Sequence, residues 1–320
     1  MVVEVEGHDR VHRWDAAALE ARVVRYGDLV PCTNAFIDTR TPGSDVKENF
    51  TIIGPGVAEN PEQHVHITEP HGFNIGGARQ PSACINSQHS HDTAEVFVVH
   101  SGQWRFTFGE HGEDAQIDAT VGDIVSFPTQ TFRGFENIGE GPGFLWSVLG
   151  GDDPGRVLWA PKVFELAKRY GLVLLDNGAL VDTSIGQPLP PGVNAMPVTS
   201  QEAISKLRRM RPDDETEIIA RAPAGPGQGE RLVIGEGGEL PPATGFTVAR
   251  LWLGQGEANA STRSNRPEVV FVQNGTAEAV IGDATVRLGL GDTLTVPTGL
   301  ERSYRGAGGA AELIVVRGTS

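Results

Sequence analysis

The sequence predicts an all-β protein, one β-fold used twice with a helical connection between the copies. Three observations carry this. Forty-one glycines and twenty-one prolines supply many chain reversals, which suits many short strands better than long helices. Short runs rich in Val, Ile, Phe and Thr recur, each closed by Gly, Pro, Asn or Asp, as in a sandwich or barrel. The two halves also repeat. Residues 95–102 read EVFVVHSG and residues 268–275 read EVVFVQNG; residues 122–133 read GDIVSFPTQTFR and residues 291–302 read GDTLTVPTGLER. Glu, Gly, Gly-Asp, Pro-Thr and Arg keep the same order, so one unit is duplicated. At 320 residues the chain can bury two cores.

The elements follow in order. Residues 1–47 read as a lead segment, with one short helix over 14–24, Asp15 near its start, and turn chemistry in TRTPGSD. Residues 48–150 form the first β block, from FTIIG, HVHIT, AEVFVV, WRFTFG, DIVSFP and GFLWSVLG. Residues 151–215 are a helical linker. Pro161 suits a first helical turn, Val163, Phe164, Ala167 and Tyr170 recur at helical spacing, and Gly171 is a stop. This helix is expected outside the β blocks, with Lys162, Lys168 and Arg169 facing water. IGQPLPPGVNAMP is a connector, and Ser200 caps a second short helix. Residues 216–320 form the second β block.

One stretch carries chemistry. Residues 88–97 read QHSHDTAEVF. Residues two apart on a strand share a face, so His89 and His91 can enter one cavity while Ser90 points away. Asp92-Thr93 suits a turn, after which Glu95 can return alongside. Two imidazoles and a carboxylate on one side of a metal leave open positions for substrate or dioxygen. Iron, manganese, nickel and zinc all accept such a set. His64 and His66 form a second same-face pair, followed by Glu69 and His71; they read as surface or pocket-lining residues, or as the source of one further ligand. His100 and His111 read as turn residues. Cys84 lines the cavity or is a buried inert thiol. Phe97, Trp104, Phe106, Phe127, Phe132 and Trp146 read as barrel core or an aromatic wall.

His89, His91, Glu95 and Gly102 fit H-x-H-x3-E-x6-G, the first motif of the cupins, at every spaced position. Gly122, Pro128 and Asn137 fit the second motif, G-x5-P-x-G-x2-H-x3-N; Gln130 stands at its second glycine and Arg133 at its histidine. The chain therefore resembles a bicupin of the quercetinase and gentisate dioxygenase type. The resemblance implies two jelly-roll barrels of double-stranded β-helix form, over 48–150 and 216–320. It implies one divalent metal per chain on His89, His91 and Glu95, with Fe(II) favoured over Mn, Ni or Zn, and a homodimer. It implies a dioxygenase acting on a small oxygenated aromatic or enol compound. The alternatives are a metal-dependent isomerase or lyase, and a non-catalytic small-molecule binder. Arginine cannot ligate. Arg133 either steadies an anionic group of the substrate as a catalytic residue, or pairs with Glu95 and draws the carboxylate off the metal. The second block keeps Glu268 and Arg302 but has Thr262 and Ser264 for the histidines. All nine histidines lie at or before His111, so the second barrel is expected to hold no metal.

The formal net charge of −15 repels phosphate backbones, so nucleic acid is not an expected partner. Two cysteines, Cys32 and Cys84, make no disulfide framework. The first residues show no apolar signal-peptide core, and no apolar run approaches the ~20 residues that span a bilayer. A cytoplasmic protein with a small-molecule substrate is the expectation.

Overall fold

The computed structural model describes residues 14–319. Helix α1 (Ala16–Glu20) and strand β1 (Val23–Val24) lie in the lead segment. The first barrel uses β2 (Glu48–Ile53), β3 (Val65–Ile67), β4 (Phe73–Gln80), β5 (Ile85–Ser90), β6 (Glu95–Ser101), β7 (Gln103–Phe108), β8 (Ala115–Thr120), β9 (Ile124–Phe127), β10 (Arg133–Asn137) and β11 (Gly143–Gly150). The connection carries β12 (Leu158–Trp159), α2 (Pro161–Arg169), β13 (Leu172–Leu174), β14 (Leu180–Asp182) and α3 (Gln201–Ile204). Strand β15 (Ile219–Ala220) leads to β16 (Gly229–Ile234), β17 (Phe246–Leu253), β18 (Thr262–Arg263), β19 (Glu268–Asn274), β20 (Ala277–Ile281), β21 (Ala284–Leu288), β22 (Thr293–Val296), β23 (Glu301–Gly306) and β24 (Ala311–Gly318).

Each barrel is a pair of facing sheets. In the first, β15-β9-β6-β11-β4-β2-β3 faces β12-β5-β10-β7-β8; in the second, β1-β22-β19-β24-β17-β16 faces β18-β23-β20-β21. The continuous apolar run of residues 96–99 is explained by burial on both faces. Phe97 and Val99 point into the first barrel with Trp104, Phe106 and Phe127. Val96 and Val98 point out, into a second core shared with Val269 and Phe271 of the other barrel. Trp146 stacks on Phe271 with ring centroids 4.8 Å apart, and its Nε1 donates to Thr293 Oγ1 at 3.1 Å. The two large sheets thus pack back to back. The second barrel's interior is closed by Val270, Val272, Ala277, Val286, Tyr304 and neighbours.

The boundaries between segments interlock. Strand β1 belongs to the lead segment but pairs with β22 of the second barrel, and β15 pairs with β9 of the first. Each arm is fixed the same way. Asp292 accepts from Arg25 Nη1 (2.6 Å) and Tyr26 N (3.0 Å); Asp123 accepts from Arg221 Nη1 (3.0 Å) and Ala222 N (2.7 Å). These are the Asp residues of the two Gly-Asp repeats. The lead segment also bonds to the first barrel: Ile85 N donates to the Gly43 carbonyl at 2.8 Å and Ser44 Oγ to the Ile85 carbonyl at 2.9 Å.

Helix α2 forms where its period places it. Val163 and Ala167 are buried, while Lys162, Lys168 and Arg169 are exposed. The lead helix is shorter than the 14–24 stretch expected, ending at Glu20 because Val23-Val24 is captured as an edge strand. Among the described residues no helix is long and apolar enough to cross a membrane.

Candidate metal centre

His89 lies next to the end of β5, His91 follows just after the strand, and Glu95 begins β6. Strand β6 does not return alongside β5; it crosses to the facing sheet, where its partners are β9 and β11. The carboxylate therefore meets the imidazoles across the barrel. One ligand atom from each of the three residues lies within 4.8 Å of the others. All three are buried, at 4 %, 2 % and 5 % exposure.

The imidazoles are held neutral. Burial, reinforced by the nearby Arg133 charge, keeps both well below the ordinary histidine range. His89 Nδ1 donates to the Ser87 carbonyl at 2.7 Å, which leaves Nε2 as the free lone pair. His91 Nε2 stands 3.7 Å from Glu95 Oε1, and its Nδ1 is buried without a partner. The backbone of His91 is pinned by Gln130, whose N donates to the His91 carbonyl at 2.9 Å. Gln130 adopts φ +56°, the left-handed conformation that Gly299 supplies at the same place in the second barrel, at φ +76°. This is why a glycine is usual there.

Arg133 lies opposite His89 in the β5–β10 register and is 1 % exposed. Its Nε and Nη2 both donate to Glu95 Oε2, at 3.1 and 2.5 Å, and Nη1 donates to the Thr131 carbonyl at 3.4 Å. Both bonds fall on one oxygen, so Oε1 stays turned toward His91. Of the two sequence alternatives, the structure shows the pairing of Arg133 with Glu95. It does not line the cavity.

The second barrel keeps the pair without the site. Arg302 stands opposite Thr262 in the same register. It donates to both oxygens of Glu268, at 3.0 and 2.7 Å, and Tyr304 Oη and Arg317 Nε donate as well, at 2.5 and 2.6 Å. All lone pairs of Glu268 are engaged, and no imidazole faces it.

The cavity beside the cluster measures about 70 Å³. Its walls include Phe36, Phe50, Phe97, Phe135, Leu149 and Trp159. Of the aromatics picked out in the sequence, Phe97 alone among the described residues lines it. Trp104, Phe106 and Phe127 fill the barrel core, Phe132 packs under the linker, and Trp146 joins the inter-barrel core. His66 lies on edge strand β3 and His64 just before it, away from the cavity, with His66 Nε2 accepting from Val30 N at 3.2 Å; neither lines the cavity. His100 is not a turn residue: it is buried on β6 against Phe271. His111 is exposed in a turn. Cys84 is buried outside the cavity, and burial pushes its thiol up to about 11.

The sequence reading missed what stands behind the histidines. Lys47 and Asp38 form an ion pair with both side chains fully buried, and Lys47 Nζ also donates to Asn86 Oδ1 at 2.8 Å. Asp38 Oδ2 accepts from Ser87 N at 3.0 Å, fixing the residue whose carbonyl orients His89. Trp159 packs on the His89 ring at 5.3 Å, and its Nε1 donates to Glu59 at 2.6 Å. Burial pushes the Glu59 carboxyl up to about 8.

Paired facing sheets, repeated once, give the chain the two-barrel layout of the bicupin fold, with a His-His-Glu cluster in one copy. Residues 78–149 match the family described as Cupin domain. The chain is similar in fold to an oxalate decarboxylase of Lactobacillus farciminis solved with formate, at 12% identity, TM-score 0.57, covering 92% of this chain and 85% of that one. It is similar to Bacillus subtilis oxalate decarboxylase, at 14% identity and TM-score 0.55, covering 92% and 75%. Salicylate 1,2-dioxygenase of Pseudaminobacter salicylatoxidans aligns at 14% identity and TM-score 0.49, over 78% and 71%. No curated protein matches the chain in sequence.

Proposed function

We propose that the first barrel is a mononuclear metal enzyme, holding one divalent ion on His89, His91 and Glu95, and that it acts as a dioxygenase on a small oxygenated organic molecule. The observation that carries this is the donor set: two buried imidazoles kept neutral and a carboxylate with one free oxygen, all within 4.8 Å. Such a set suits Fe(II), and also Mn, Ni or Zn. Glu95 Oε1, 3.7 Å from His91 Nε2, and the free Nε2 lone pair of His89 fit a shared cation better than they fit an empty polar pocket. When bound, the metal supplies Lewis-acid and redox chemistry at an open face.

The chain's own residues prepare that face. Ser87, held by Asp38, fixes the tautomer and direction of His89. Arg133 immobilises Oε2, so Glu95 offers a single oxygen; this makes Arg133 a positioning residue. Phe36, Phe97, Phe135 and Trp159 give that face a largely apolar wall.

The test has two parts. Elemental analysis of protein grown with iron, manganese and zinc should find close to one metal per chain, lost in His89→Ala. Oxygen uptake with a panel of small enols and phenols should follow iron content. Metal without oxygen uptake would favour a lyase or isomerase; a protein that stays metal-free would leave a binding barrel.

A further inference from the structure

The cavity walls are nearly free of charge. Among the described lining residues Glu95 is the one carboxylate, and there is no lysine or arginine. The two closest buried cations are committed elsewhere: Arg133 to Glu95 and Thr131, Lys47 to Asp38 and Asn86. Most of the surface is Phe36, Phe50, Phe97, Phe135, Leu149 and Trp159. Apart from His91, one residue on these walls carries an unspent buried polar atom. Asn49, on β2, lines the same cavity, and its Nδ2 is buried with no hydrogen-bond partner among the described residues. A buried amide donor without an acceptor is costly, and a ligand oxygen would satisfy it.

We propose that the occupant is a small molecule with a carbonyl or hydroxyl oxygen that accepts from Asn49 Nδ2, and with an uncharged, apolar body. A dicarboxylate, such as the oxalate named for the fold's neighbours, is rejected. Its second charge would be buried among aromatic walls with no cation to meet it. This deepens the metal reading by naming the substrate class, and it rests on that reading for the ligand's place beside His89, His91 and Glu95. The preference for an apolar body rests on the walls alone.

The probes are 4-methyl-2-pentanone, 3-methylbutanoate and malonate, which match in heavy-atom count and carry zero, one and two charges. Binding is measured by ligand-observed NMR and calorimetry on the parent, metal-free and Mn(II)-loaded. The ketone should bind the metal-free protein at least tenfold more tightly than malonate. The monoacid should exceed malonate by the same factor on the Mn(II)-loaded protein. Asn49→Leu should weaken the ketone about tenfold with no change in Mn(II) stoichiometry. Malonate binding as tightly as its apolar isostere in either form overturns the proposal, as does ketone binding untouched by Asn49→Leu. The comparison of probes on the parent needs no variant, so it decides even if Asn49→Leu folds poorly. Failure of Mn(II) to bind would remove the metal reading and leave the body preference to be decided on the metal-free protein.

Discussion

Replacing Arg133 with methionine separates a structural ion pair from a metal-site support. The substitution keeps an apolar stem of similar length and deletes the charge. Glu95 then loses both hydrogen bonds on Oε2 and is left buried, at 5 % exposure, without a cation. Breaking a buried pair from one side costs about 3–5 kcal/mol. The second barrel supplies a control. In Arg302→Met, Glu268 still accepts from Arg317 and Tyr304, so the loss should be nearer 1–3 kcal/mol. Metal makes the two positions diverge further. A divalent ion on Glu95 takes over the missing positive charge, and both carboxylate oxygens become free to meet it. Saturating Mn(II) at a hundredfold over Kd stabilises the parent by about 2.7 kcal/mol. It should stabilise Arg133→Met by at least about 1.4 kcal/mol more, equivalent to tenfold tighter binding, and leave the Arg302→Met deficit unchanged. Urea unfolding of the three proteins with and without Mn(II) reads all of this. Equal deficits at 133 and 302, or an Arg133→Met deficit indifferent to Mn(II), would refute the reasoning.

Further outcomes follow from the same geometry. Metal titration should saturate at one equivalent in the parent and in Glu268→Gln, because Glu268 is fully engaged by Arg302, Tyr304 and Arg317; a second tight equivalent contradicts this. The metal-free protein should lose stability on acidification. His89 and His91 refuse protons that the unfolded chain accepts below its histidine value of 6.5, so stability present above that pH falls by up to about 2.7 kcal/mol per unit for the pair. Glu59, raised from 4.5 to about 8, works in the opposite direction at about 1.4 kcal/mol per unit and acts nearly alone above 6.5, so the net slope becomes acid-labile only below about pH 6. Denaturation at pH 6.0, 5.5 and 5.0 checks the sign, and a rise in stability toward acid across that window would reject it. Asp123→Ala leaves Thr120 N and Ala222 N without their acceptor and removes one of the partners of Arg221; it should cost about 2–4 kcal/mol and open the β15 arm to proteolysis. Unchanged protease resistance at that arm would contradict the anchoring role.

The duplicated β-fold and the His-His-Glu set were legible because both are local. A spacing of two, then a turn, then a carboxylate is written within seven residues. The retained Glu268 and Arg302 also gave away the Arg133 pair, since a pair kept without histidines needs no metal to explain it. Other parts were illegible for physical reasons. Strand β4, with Gly76 and Gly77, was not among the β runs expected; a Cβ on Gly77 would fall 2.7 Å from Phe144 Cζ, so the strand needs glycine for close packing. The Asp38–Lys47 pair and Phe36 reach the site from irregular chain with no period to signal burial. Asn49 and Thr51 sit in a strand that was recognised, but which side of it faced a ligand depended on a barrel closing around them. Strands β1 and β15 are two residues long, too short for any pattern, and the sheets they join belong to the far half of the chain.

That reciprocal pairing of arms gives the chain the logic of a handshake. A single arm-plus-barrel unit has a sheet edge that only another unit's arm can close, and an arm that its own barrel does not receive. One such unit is unfinished, and two complete each other. The chain is thus a pair of like subunits joined end to end, with the exchange preserved after the join. This accounts for the survival of a second barrel whose interior is packed solid. It holds the first arm, closes the back of the working sheet through Phe271 and Thr293, and sends β15 in return. A gene cut between the barrels should yield halves that are insoluble apart and recover when expressed together.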